Sequence, residues 1–204
     1  MIKAGVKAGT LPLCAVIIER IRIWTSKNVH HPALIGYPLI ILSGLFALLL
    51  ISSPFLAKNG SLDLGSEGSV GEIDHDEAIS DIDNSLARFY YRFGDLYCHQ
   101  KDHRSYFLNG NQMPVCSRDL GLFCGIFLGC VAGSMYRKGI KLWVLAIFLA
   151  PMVVDGSLQA ITPYESFNIL RLITGSIGGL GIGAYLNGSL VQTFGLLLRR
   201  TEKG

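Results

Sequence analysis

Hydrophobic positions in this chain gather in long blocks rather than in single turns. Four apolar runs stand out: Pro32–Leu56, Leu120–Tyr136, Leu142–Ile161 and about residues 168–198. Each is near or above the roughly 20 residues needed to cross a bilayer. The pattern predicts an all-α, polytopic membrane protein with four transmembrane helices. A shorter apolar stretch, "LPLCAVII", runs into "ERIRIW" without a small-residue cleavage site. Residues 1–31 are therefore expected as a cytoplasmic N-terminal segment along the membrane surface, with Arg20, Arg22 and Lys27 near lipid headgroups.

The pattern changes between the first two runs. From Asn59 to Asn84 there are eight acids, many Gly and Ser, and no Lys or Arg. Such a composition predicts a mobile acidic outer loop over 57–76, unable to build a core. Its "DHDE" lacks the spacing of a calcium loop and reads as solvated linker. Next, Ile79, Ile82, Leu86, Phe89, Phe93 and Leu96 recur every three or four residues. They predict an amphipathic helix over 77–97, lying on the outer membrane surface and delivering Cys98 to the mouth of the bundle. Residues 77–119 thus form one unit, residues 32–56 the first span, 120–198 a three-helix membrane core, and 199–204 a tail.

Composition supports the bilayer as the chief partner. Only 16% of residues are charged and mean hydropathy is +0.41, whereas a soluble domain has about 25% charged residues. With a net charge of +3 and no basic patch interleaved with aromatics, nucleic acid is not an expected partner. Lys and Arg sit before the first span, between the second and third (Arg137, Lys138, Lys141), and after the fourth (Arg199, Arg200, Lys203). Four spans put all three clusters on one side. The positive-inside rule then places both termini in the cytoplasm, in a multi-pass protein of the cell membrane.

Small residues suggest how the spans meet. Gly121, Gly125, Gly129 and Gly133 repeat every four residues in the second span, and Gly175, Gly179 and Gly183 in the fourth. Such ladders let backbones approach closely. The expectation is direct contact between these two spans, with homo-oligomerisation through the ladders as the alternative.

Charges inside spans need partners, since one near the bilayer centre costs at least about 2.5 kcal/mol. Asp155 and Gln159 lie one turn apart, and Glu165, Asn168 and Arg171 recur every third residue. Their similar depth predicts an Asp155–Arg171 ion pair completed by Gln159 and Asn168. It serves either as a clasp or as a polar cavity.

The stretch "YCHQKDHRSYFLNGNQMPVCSRD", residues 97–119, carries most of the chemistry. His99 and His103 would share a face if helical. With Cys98, Cys116 and Asp119 they offer the ligand types of zinc, and the thiolates equally suit copper(I). A Cys98–Cys116 disulfide is the alternative, and redox-active thiols a third. Cys14, Cys124 and Cys130 read as small buried hydrophobes.

The ordered set "CHQ", "RSY", "QMPVCSRDLGLF", "DGSLQ" and "ESFNILRLITG" resembles an uncharacterised family of small prokaryotic integral membrane proteins, a domain of unknown function. Many of its members carry Cys where this chain has Asp119. The resemblance implies a shared set of positions over roughly 95–183, and no activity. Combined with the residues' own chemistry, it leaves three readings. The first is a membrane metalloenzyme, with Asp155 or Glu165 as general base. Arg104, Gln112, Arg118, Gln159, Asn168 and Arg171 would then bind an anionic group or substrate. The others are a small-solute or metal-ion carrier and a structural or assembly protein.

Overall fold

The computed structural model describes residues 35–66, 68–136 and 139–201, the last four as backbone only. The N-terminal segment 1–31 expected along the membrane lies outside the described residues, as do Cys14, Arg137, Lys138 and Lys203. The described chain is a helical membrane protein. Its long helices are α1 (Tyr37–Ser52, continued as a 3-10 turn to Phe55), α4 (Ser117–Met135), α5 (Leu142–Ile161) and α6 (Asn168–Thr201). All four are long and apolar enough to span a bilayer. Between α1 and α4 sits a cap that holds α2 (Asp76–Ser80), α3 (Ser85–Tyr97) and a hairpin of β1 (Phe107–Leu108) and β2 (Asn111–Gln112). The 162–167 loop lies at the same end, because Arg104 of the cap reaches Glu165.

Helices α4 and α6 run side by side from the cap end. A Cβ on Gly121, Gly125, Gly129 or Gly133 would sit within 3.0 Å of a carbonyl oxygen of Leu172, Ser176, Leu180 or Ala184, respectively. Reciprocally, Gly175, Gly179 and Gly183 face the carbonyls of Arg118, Leu122 and Ile126. Both ladders are thus spent against each other within one chain. Each carbonyl rests over a Cα–H, a weak contact that gains strength from repetition. On the other side of α4, Gly44 of α1 lies under the Phe127 ring. Asn187 donates to the Cys130 carbonyl at 2.5 Å, tying α6 to α4 deeper in the bundle.

The cap departs from expectation in two ways. The helix expected over 77–97 is broken into α2 and α3, with Asn84 capping α3 by accepting from Leu86 and Ala87 N–H. Ile79 and Ile82 turn into the cap, whereas Leu86, Phe89, Leu96 and Tyr97 are exposed. Phe93 packs on Phe46 and Phe123 of the spans. The acidic stretch also contributes to a core: Leu62 and Leu64 pack with Ile79, Ile82, Ala87 and Tyr91. Its backbone is satisfied by two buried amides. Asn111 accepts from Ser61 and Leu62 N–H and donates to the carbonyls of Pro54 and Lys58. Gln112 accepts from Leu64 N–H and donates to the Gln100 carbonyl. Composition hid this, because side-chain amides here replace a regular ladder. An Asn109–Gly110 turn with φ of 54° and 69° brings both amides into position.

Adding a methyl group at Gly179 will force α4 and α6 apart. Gly179→Ala is expected to destabilise by about 2 kcal/mol, the usual scale of overpacking, read from thermal unfolding in detergent. Gly178→Ala serves as control, since its nearest neighbour would be Met152 Sδ at 3.4 Å, and it should leave the midpoint unchanged.

Candidate functional site

The first turn of α4 carries two polar clusters on different sides. One begins with a glycine. A Cβ on Gly94 would overlap the Pro114 carbonyl, so residue 114 can lie directly on α3. Cys98 is one turn beyond Gly94, and Cys116 is two residues beyond Pro114. The close approach therefore brings the two thiols together. Cys116 N–H donates to Cys98 Sγ at 3.2 Å, and Cys116 Sγ donates to Asp119 Oδ2 at 3.3 Å. Potential ligand atoms of Cys98, Cys116 and Asp119 all lie within 4.8 Å of one another.

Both sulfurs are free thiols. Cys98 is buried, while Cys116 and Asp119 are half-buried. The side-chain hydrogen bond with the Cys116 sulfur, then burial, then the nearby negative charge available to Cys116 and Asp119 push the Cys98 thiol well above its ordinary value. A cation in this place would reverse that balance.

Neither histidine joins the cluster. Cys98 is already extended and Gln100 has φ 43°, so helix α3 stops before His99. The shared helical face expected for His99 and His103 does not form. His99 lies outside with its Nδ1 3.3 Å from the Gly68 carbonyl. His103 belongs to the second cluster.

That cluster is a chain of contacts linking α4, α5, α6 and the cap. Arg118 pairs with Asp155, which also accepts from Gln159 Nε2 at 3.0 Å and Ser166 Oγ at 3.3 Å. The expected Asp155–Arg171 pair is replaced by a bridge. Gln159 binds Asp155 with its amide nitrogen and accepts from Arg171 Nη2 with its oxygen, at 3.1 Å. Arg118 wins the carboxylate because the glycine contact sets it directly against α5, near Gly156. Two further atoms of this pair, Arg118 Nε and Asp155 Oδ1, are buried without a hydrogen-bond partner among the described residues.

Arg171 continues the chain to Asn168 at 3.1 Å and Glu165 at 3.4 Å. Glu165 also meets Arg104 and His103, and Asn168 reaches the Ser105 carbonyl. Arg104 lowers the Glu165 carboxyl below its ordinary value.

Of the residues expected to bind an anionic group, Gln112 lies fully buried as a clamp inside the cap. Sequence reasoning missed three others. Gln100 is fully buried and donates to the Tyr91 and Pro114 carbonyls; the "CHQ" triplet is its only sequence signal. Ser166 is buried beside Asp155. His75 Nδ1 meets the buried Asp95 at 2.7 Å, a pair that the acidic composition around it concealed.

The ordered Cys, Arg and Asp positions can now be compared with known proteins. A family model described as "Predicted membrane protein (DUF2085)" matches residues 98–185. An uncharacterised protein of Methanothermobacter thermautotrophicus is 33% identical over 89 residues, 42% of this chain and 79% of the relative. The chain belongs to the DUF2085 family. An uncharacterised protein of Methanocaldococcus jannaschii is 41% identical over 101 residues, 47% of this chain. There the match spans 65% of the relative, just under two thirds of its length. No solved structure matches the chain. The DUF2085 match begins at Cys98 and closes within α6, so it contains both clusters and omits α1, α2 and α3.

Asp155 is the one buried residue of α5, so its contacts hold that helix at the cap end. Asp155→Ala would strand Arg118 and is expected to cost on the order of 3 kcal/mol. The double variant Asp155→Leu/Arg118→Met should recover more than half of the loss. Unfolding in mixed detergent micelles measures both.

Proposed function

We propose that this protein carries a metal site of Cys98, Cys116 and Asp119 on the outer face of the cell membrane, with both termini cytoplasmic. One observation supports it above all: two sulfurs and a carboxylate brought within 4.8 Å at the capped end of a membrane bundle. Tetrahedral zinc holds two thiolates about 3.8 Å apart, given Zn–S distances of about 2.3 Å. Three protein ligands with a fourth position open is the arrangement of catalytic rather than structural zinc. The metal would polarise a bound water or substrate oxygen. Orientation follows from the basic clusters, which the four-span path puts at the end opposite the cap.

The general bases expected from sequence gain no support from geometry. The hydrogen bonds of Asp155 and Glu165 run to arginines, not to the thiol cluster. A carrier gains none either, because the chain of polar contacts stops at the cap end of α5 and α6. A second reading rests on the same thiols. Closing Cys98 and Cys116 into a disulfide would staple α3 to α4, natural on an oxidising outer face.

Elemental mass spectrometry on protein purified in detergent, without chelator or a metal column, decides between them. The metal reading expects near one zinc or copper per chain, lost in Cys116→Ala. Metal absent from both samples sinks it. Maleimide labelling that needs prior reduction would then establish the disulfide. Labelling of single cysteines added near residues 60 and 140 from either side of sealed vesicles tests the orientation.

A further inference from the structure

The 162–167 loop carries a half-exposed carboxylate, Glu165, whose surroundings exceed what one carboxylate needs. Four donor atoms converge on its Oε1: Arg104 Nη2 at 3.0 Å and Nε at 3.2 Å, His103 Nε2 at 3.2 Å and Arg171 Nη2 at 3.4 Å. None of these four contacts reaches Oε2. A carboxylate oxygen directs about two lone-pair sites, so the donors outnumber what Oε1 can accept well. A phosphate, with three free oxygens, could take them separately and at shorter range.

Two of the three donor side chains are also held independently of Glu165, and the backbone of the third is fixed. Arg171 is nearly buried and anchored by Asn168 Oδ1 and Gln159 Oε1. His103 Nδ1 lies 2.9 Å from Asp102. Ser117 Oγ holds the Arg104 carbonyl at 2.8 Å. Arg171 and His103 would therefore keep their places if the glutamate swung out. Glu165 is placed to do so, since its side chain is 52% exposed.

We propose that His103, Arg104 and Arg171 form an oxyanion site for a phosphate group, and that Glu165 is its built-in, displaceable plug. The phosphate is either a lipid headgroup or a small soluble ester. Exposed Tyr164, Phe167 and Ile169 flank the loop and set the site at the level where headgroups lie. The site shares no residue with the thiol cluster, so it stands or falls separately from the metal reading.

The test uses the full chain, treated with chelator, and inorganic phosphate as probe, followed by calorimetric titration in detergent. Glu165→Gln keeps the shape of the plug and removes its charge. It is expected to bind phosphate at least about tenfold more tightly than the parent, because the displaced ion pairs no longer compete. Adding Arg104→Gln should abolish that binding; among the described residues the side chain's polar contacts are all with Glu165, so the fold survives. Repeating the titration in phosphatidylcholine nanodiscs with and without phosphatidic acid separates the two sources. Competition by phosphatidic acid identifies a lipid headgroup, and undiminished phosphate binding identifies a soluble ester. Absence of phosphate binding by Glu165→Gln in both detergent and phosphatidylcholine nanodiscs overturns the proposal. So does binding that Arg104→Gln leaves unchanged, since Glu165 would then be only a surface ion-pair partner.

Discussion

Carbonyl oxygens of one helix resting on the bare Cα atoms of another fix the geometry of this molecule. Seven glycines of α4 and α6 make that contact, and a side chain larger than hydrogen at any of them would separate the helices. In lipid there is little hydrophobic drive for helices to associate, so close packing must supply the attraction. The register that results is specific. It sets the Arg118 carbonyl beside Gly175 and places Arg118 and Arg171, on neighbouring helices, at nearly the same depth. Two guanidiniums at one level of a membrane protein demand counter-charge. Helix α5 supplies it through Asp155, with Gln159 passing the contact on to Arg171. The third transmembrane helix of the core is thus recruited at this end by charge, after packing has created the need.

The cap solves a different problem. Its chain is too polar and too glycine-rich for a conventional core, yet its backbone groups must be satisfied where it leaves water. Asn111, Gln112 and Gln100 do this with side-chain amides. Asn111 uses both lone-pair directions and both hydrogens. Buried networks of this kind are rigid when satisfied and costly when broken. The rigidity matters at Gly94, where α3 lies against the Pro114 carbonyl. Without that approach, Cys98 and Cys116 would be separate surface thiols.

Spans and ladders were legible because each is a property of one helix read along its own period. The Asp155 network was legible in its members and not in its pairing. Depth along the helices correctly grouped Asp155, Gln159, Asn168 and Arg171. Which arginine meets the carboxylate depends on rotation between helices, and one-dimensional spacing carries no information about that. The histidines failed for a local reason: the reading required helix beyond Cys98, and Gln100 adopts a left-handed backbone that ends it. Buried Gln112 and Asp95 look in sequence like any surface polar residue. Only long-range partners, Leu64 and His75, reveal them as interior.

The two clusters on the first turn of α4 also differ in what they can hold. Arg118 looks towards α5 into a site already neutralised by Asp155. Cys116 and Asp119, three residues apart on the same helix, look towards α3 and a buried sulfur with no cation beside it. A cation held there, as proposed, would be the positive charge that favours the thiolate forms. Asp119 further narrows the choice. Two thiolates alone would suit copper(I), but a hard carboxylate oxygen as third donor moves the preference towards zinc, which accepts mixed sulfur and oxygen ligands.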